Sequence, residues 1–194
     1  MSKLEQHNTH NNNSLTSILP LILKHGTTRK FKRNEVLVSV GEDCKNVFFI
    51  KSGGFLRQFY SDESESLHTI SFHLPNHRPF VTINESYFAD QPSMYEIRAF
   101  KTSEIVELKK GVITEMNQQH PFLKEFHDQR ILQALLFENE FKSRLISYSP
   151  KAFYQYLCQQ YPEVIKNVPS KYIADVMKIS PEWLSKLKRS DFLN

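Results

Sequence analysis

Glu182, Ser185, Lys186 and Arg189 share one side of any helix that begins at Ser180-Pro181-Glu182. At 3.6 residues per turn the four fall within an arc of about 100°, with Leu184 and Leu187 on the other side. Such a helix has a small apolar keel and a base-reading, phosphate-seeking face, the kind of rod that lies in a major groove. Its start is written locally: Ser180 as hydroxyl cap, Pro181 at the first helical position and Glu182 in the first turn. The preceding stretch supplies apolar Ile173, Met177 and Ile179, with small Ala174 where two helices must cross closely. Residues 170–189 therefore read as a helix-turn-helix. Lys178 stands where such turns commonly use glycine to reach positive φ, so it either stores roughly 1 kcal/mol of strain or marks a different turn. Trp183 flanks the buried side and is read as packing rather than as a contact. The competing reading of the same residues is a capping element of a globular fold with a solvated basic face.

Charge weighs between the two. Residues 142–194 hold nine Lys or Arg against four Asp or Glu, while the other 141 residues hold 16 against 17. All of the formal net charge of +4 thus derives from the C-terminal quarter. That asymmetry is the electrostatic footprint expected for a polyanion, and it favours double-stranded DNA as partner. The remaining composition, 40% hydrophobic and 24% charged, is that of a globular protein. No apolar run reaches the ~18–20 residues that span a bilayer, so no membrane is expected. Cys44 and Cys158 lie far apart without metal spacing, which suits a reducing cytoplasmic compartment.

Other chemistry is sparse. The sequence shows no nucleophile elbow and no Gly-rich phosphate loop, and no catalytic residue is assigned. Glu63 and Glu65 fall in an expected turn; Glu138 and Glu140, two apart on an expected helix, point away from each other. His68, His73 and His77 invite a metal reading, but their spacing is not that of a cupin and His73 alternates with Phe72 as strand residues do. No metal ligand and no cofactor is assigned.

The elements that would carry the C-terminal face divide in three. Residues 1–13 are a polar, Asn-rich tail, and 14–25 suggest a short helix. From 28 to 109, short runs rich in Val, Ile, Phe and Tyr predict strands at 36–40, 46–51, 54–60, 67–74, 94–100 and 104–108. Turns at Gly41-Glu42-Asp43, Ser52-Gly53-Gly54, Ser61-Asp62-Glu63 and Pro75-Asn76 separate them, which argues for an antiparallel sandwich or roll. A helix then ends near Asn117–His120, and another runs from about 121 to 147. Its apolar residues, among them Phe122, Ile131, Leu132, Leu135, Leu136 and Ile146, cover more than one side, so it needs two burial partners. One is the roll; the other is the same helix of a second copy, or else one thick core surrounds it. Ser149-Pro150 opens a further helix that Pro162 ends, and Pro169 precedes the helix-turn-helix. The fold class is α+β: a β-roll with flanking helices over 14–120, a long helix over 121–147 and a helical domain over 148–194.

The stretch LVSVGEDCKNVFFIKSGGFLRQFY (37–60) resembles the signature of the cyclic-nucleotide-binding β-roll, with a Gly-Glu turn, an aromatic-aromatic-Ile strand and a Gly hairpin. Roll, long helix and C-terminal helix-turn-helix in that order resemble the cyclic-AMP receptor protein/Fnr family of bacterial transcription regulators, over about residues 14–190. Residues 156–189 look especially like its short-winged members; SDFLN after Arg189 leaves little chain for a β-wing. The resemblance implies a homodimer held by the 121–147 helix, reading a two-fold symmetric site with half-sites ~34 Å apart, and RNA polymerase as a further partner. It places Glu182 and Lys186 at base edges, where a carboxylate accepts from cytosine N4 and an ammonium donates to guanine O6 and N7. Ser180, Ser185, Lys188 and Arg189, with Ser170 and Lys171 at the first helix start, take phosphate or mixed contacts.

The effector site departs from the pattern. Members that bind a cyclic nucleotide carry a Gly-Glu pair and an Arg-Ser/Thr pair around the phosphate, in the region matched here by 82–94. Asn84 replaces the glycine, Glu85 stands near the ribose position, and Ser93 and Met94 fall where Arg and Ser/Thr are expected. Without that guanidinium the phosphate lacks its planar bidentate partner. Arg98 on the next strand either substitutes or serves a salt bridge. The chain is read as not responding to cyclic AMP. The iron–sulfur variant needs about four cysteines and this chain has two; nothing favours haem. Set beside the regulator reading are a ligand-binding or protein-interaction module whose C-terminal helices only pack, and a cupin-like enzyme.

Overall fold

Alternation of apolar side chains builds the roll. In the computed structural model, which describes residues 15 and 17–191, eight strands form two antiparallel four-stranded sheets. The 1–13 tail and the residues after 191 lie outside the described residues. The first sheet has the order β1 (Thr27–Phe31), β8 (Ser103–Lys109), β3 (Asn46–Ser52), β6 (Phe80–Val81). The second has the order β2 (Val36–Val38), β7 (Tyr95–Ala99), β4 (Phe55–Ser61), β5 (Ser66–His73). Period-two side-chain direction puts Phe48, Ile50, Phe55, Ile97 and Ile105 in the core between the sheets, while their chain neighbours Phe49, Leu56 and Val106 point outward into two other clusters.

Five of the expected strands end within one or two residues of the observed ones; the first, 36–40, is observed as Val36–Val38. Two strands were not anticipated. β1 is an edge strand paired only with β8, and of its residues Phe31 alone is buried, so no apolar alternation announces it. β6 is two residues long. The hairpin at Ser52-Gly53-Gly54 depends on Gly53, whose φ is 85° and whose missing Cβ would meet the Ser103 side chain.

The outer face of the first sheet carries Phe49, Val106 and Leu108, packed on α1 (residues 17–25), α3 (Lys110–Gln119) and the start of α4 (Pro121–Ser147) through Ile18, Ile22, Met116 and Leu123. A short α2 (Asn84–Ala89) follows β6. The outer face of the second sheet carries Leu56, Phe72 and Leu74, which share a core with Phe141 of α4 and with α5 (Pro150–Gln160), α6 (Pro162–Asn167), α7 (Ser170–Val176) and α8 (Pro181–Asp191). α6 is an addition: Pro162 ends one helix and opens the next from its first position.

Along α4, Leu123 and Phe141 are buried, whereas Leu132, Leu135, Leu136 and Ile146 are 54%, 56%, 58% and 74% exposed. One side of α4 therefore faces the roll and the other leaves a leucine stripe without cover within the chain.

Candidate nucleic-acid interface

α7 and α8 are held by their apolar sides. Ile173, Ala174, Val176, Leu184 and Leu187 are buried with Phe153, Leu157, Val164 and Val168 of α5, α6 and the loop after α6. Ala174 is 1% exposed at the crossing, where a larger side chain would separate the helices. The turn between them is closed by Lys178 N donating to Asp175 O at 3.0 Å and Ile179 N donating to Ala174 O at 3.1 Å. Lys178 sits at φ 55°, in the left-handed region. Of the two alternatives at this position, the structure has the strained lysine.

The start of α8 is capped as the sequence indicates, with Trp183 N donating to Ser180 Oγ at 3.1 Å. Hydrogen bonds from its own backbone N–H and from Ser180 hold the Glu182 carboxyl below its ordinary range, so it stays an acceptor. Glu182, Ser185, Lys186 and Arg189 are exposed together. Lys188 Nζ donates to Ser170 Oγ at 2.5 Å, tying the last turn of α8 to the first of α7. These two expected phosphate contacts therefore form one joined cationic corner. Ser180 and Lys171 are exposed, the latter with its ammonium 4.7 Å from the Tyr172 ring centroid. Trp183 flanks the keel as the sequence indicates: at 100° from Glu182 it lies at the edge of the buried side and is 48% exposed.

A carboxylate docks this unit on the roll. Asp175 Oδ2 accepts from the backbone N–H of Thr69 at 2.6 Å, and Oδ1 lies 3.3 Å from His68 Nδ1. His68 thus meets this unit from β5. His73 lies between Ser71 Oγ and Arg78 O, each 3.2 Å away, and His77 packs against the rings of Phe137 and Tyr161. Burial holds both His73 and His77 well below the ordinary imidazole range, His77 at about 3. Among the described residues no three His, Cys, Asp or Glu side chains gather as a metal site, and no helix is long and apolar enough to cross a membrane.

The expected effector positions are engaged in different ways. Ser93 is 2% exposed and consumed by backbone: its hydroxyl donates to Tyr95 O at 2.6 Å and its carbonyl accepts from Gly41 N at 2.7 Å. Met94 is exposed. Arg98 is the cross-strand partner of Leu56, so it faces outward, where it meets Glu96 at 2.6 Å and Asn34 O at 2.7 Å. It serves a salt bridge. Asn84 opens α2, and Glu85 leaves its buried Oε2 without a hydrogen-bond partner.

Sequence reasoning missed a different charged group. Glu138 of α4 accepts from Arg57 of β4 at 3.1 Å and from Arg78, in the β5–β6 loop, at 2.5 Å. The three lie 81 and 60 positions apart along the chain, so no local motif could reveal them.

No protein-family model and no curated protein sequence matches the chain. Solved structures do. The c-di-GMP-responsive global regulator CLP of Xanthomonas campestris superposes with a TM-score of 0.67 at 12% identity, over 90% of this chain and 90% of that one. A cyclic nucleotide-binding domain containing protein of Listeria monocytogenes gives 0.67 at 15% identity, over 90% and 88%. The catabolite activator protein of Thermus thermophilus gives 0.54 at 13% identity, over 90% and 82%. Roll, long helix and helix-turn-helix follow one another as in these proteins, and the chain has the fold of the cyclic-AMP receptor protein/Fnr regulators.

Proposed function

We propose that the chain is a sequence-specific DNA-binding transcription regulator of cyclic-AMP receptor protein/Fnr type, acting in the cytoplasm as a homodimer and without response to cyclic AMP. The observation that carries this reading is α8, whose Glu182, Ser185, Lys186 and Arg189 stand exposed on one side while Leu184 and Leu187 are buried on the other. That geometry presents a groove-sized rod with polar and cationic ends outward. Glu182 and Lys186 read bases; Ser180, Ser185 and Arg189, the Lys188–Ser170 corner and Lys171 grip phosphates.

The exposed leucine stripe of α4 supports the dimer, since apolar residues at three- and four-residue spacing are a helix-pairing seam. Loss of cyclic-AMP response is supported by Ser93 and Met94, which offer no guanidinium, and by Arg98, which is engaged elsewhere. Contact with RNA polymerase rests on the family resemblance alone. Selection of bound duplexes from a random pool tests the reading. The expected product is a two-fold symmetric consensus with half-sites about one helical turn, ~34 Å, apart; an asymmetric consensus or none contradicts it.

A further inference from the structure

Where α7 docks on the roll, a serine, a histidine and a carboxylate come into line. Ser64 lies in the exposed turn between β4 and β5, His68 four residues on in β5, and Asp175 on α7, 107 positions beyond His68. Ser64 Oγ is 2.7 Å from His68 Nε2, and His68 Nδ1 is 3.3 Å from Asp175 Oδ1. A carboxylate only accepts, so the proton of the neutral imidazole belongs on Nδ1. Nε2 is then an acceptor and the Ser64 hydroxyl donates to it. Ser66 Oγ is the more distant hydroxyl, 3.2 Å from Nε2 and 2.9 Å from Ser64 Oγ. Nucleophile, base and orienting carboxylate stand in the order that activates a serine.

The group is reachable. Ser64 is exposed, and the His68 and Asp175 side chains are 30% and 27% exposed. An open recess of about 600 Å³ adjoins them, lined by Ser64, His68, Phe59, Ile70 and Lys178. None of residues 82–94 lines it, so it is separate from the positions at which a cyclic nucleotide was sought. Phe59 and Ile70 give it apolar wall for a short acyl chain. Lys178 brings a positive charge to the recess in which a carbonyl oxygen would turn negative. Glu65, next to Ser64, is held in the left-handed region at φ 48°, a conformation an ordinary residue adopts only under constraint.

We propose that Ser64 is a nucleophile toward activated carboxylic esters and takes up their acyl group. Its Oγ attacks the carbonyl carbon while its proton passes to His68 Nε2, and the carbonyl π pair moves onto oxygen. When that pair returns, the bond to the leaving alcohol breaks and the alcohol takes the proton from Nε2. A Ser64 acyl ester remains. Asp175 is a positioning residue: it keeps the imidazole in the Nδ1–H tautomer and faces the imidazolium that forms. Asp175 belongs to α7 and the other two to the β4–β5 hairpin, so the relay exists only while α7 is docked on the roll.

Treatment of the whole protein with 4-nitrophenyl acetate, without DNA, is the test, and its outcome is independent of the DNA-binding reading. A rapid release of one nitrophenolate per chain is expected, with the acetyl group found on Ser64 by peptide mass spectrometry. Ser64→Ala is expected to lose both, and His68→Gln to acetylate about 100-fold more slowly. Asp175→Asn keeps an oxygen for the Thr69 N–H but turns an N–H towards His68, which favours the Nε2–H tautomer and removes the base. It is expected to slow acetylation at least about tenfold, and nitrogen NMR of the ring is expected to show the tautomer change, which a loss of docking alone would not produce. Should His68→Gln not fold, the labelled position and Ser64→Ala, on the exposed turn, still decide. Acetylation no faster than in Ser64→Ala, label on Ser66 instead, an unaltered rate in a folded His68→Gln, or an unaltered tautomer in a folded Asp175→Asn overturns the proposal.

Discussion

Lys186 and Arg189 are both exposed cations on one side of α8, and the proposed function gives them different work. Lys186 lies one turn from Glu182 at the middle of α8, and on the proposed reading the two together would meet base edges. Arg189 lies in the last turn, with its Nε near Ser185 O at 3.4 Å. Lys186→Ala is therefore expected to relax base preference at one position per half-site, with a cost of ~1–3 kcal/mol on the preferred sequence. Arg189→Ala is expected to weaken all sequences about equally. Binding to a set of single-base operator variants separates the two; uniform weakening by Lys186→Ala would make it a phosphate contact instead.

Among the elements, α4 and α8 were the most legible and the β5–β6 region the least. Pro121, a preceding His120 and 27 residues without a breaker write the long helix into the chain, and it is observed as Pro121–Ser147. The Ser180-Pro181-Glu182 start of α8 is equally local. The Arg57–Arg78–Glu138 group was invisible because it is made by folding distant segments together, as any tertiary site is. The leucine stripe on α4 leads to a prediction of its own. Leu135→Glu and Leu136→Glu together are expected to convert a dimer to a monomer by sedimentation, with the melting of the subunit little altered, since both side chains are over half exposed. A double variant that remains dimeric would move the interface elsewhere.

For the whole molecule, the roll and the C-terminal helices share one apolar core, and His77 stands in that shared region between Phe137 and Tyr161. Its folded pKa of about 3 lies below the unfolded value of about 6.5, so as pH falls the unfolded chain takes up the proton first. Stability held at neutral pH is then lost as pH falls from about 6.5 towards 3, by about 1.4 kcal/mol per pH unit for this one group. Urea unfolding at pH 7.5 and 5.5 checks this; His77→Phe is expected to flatten the dependence, and an unaltered slope would contradict the assignment.

The central claim is electrostatic grip on duplex DNA by a symmetric pair. In the proposed dimer, Lys171, Lys188 and Arg189 of the two subunits would supply six phosphate-directed cations. The slope of log K against log salt for the selected duplex is therefore expected near about −5. A slope near zero would contradict the account.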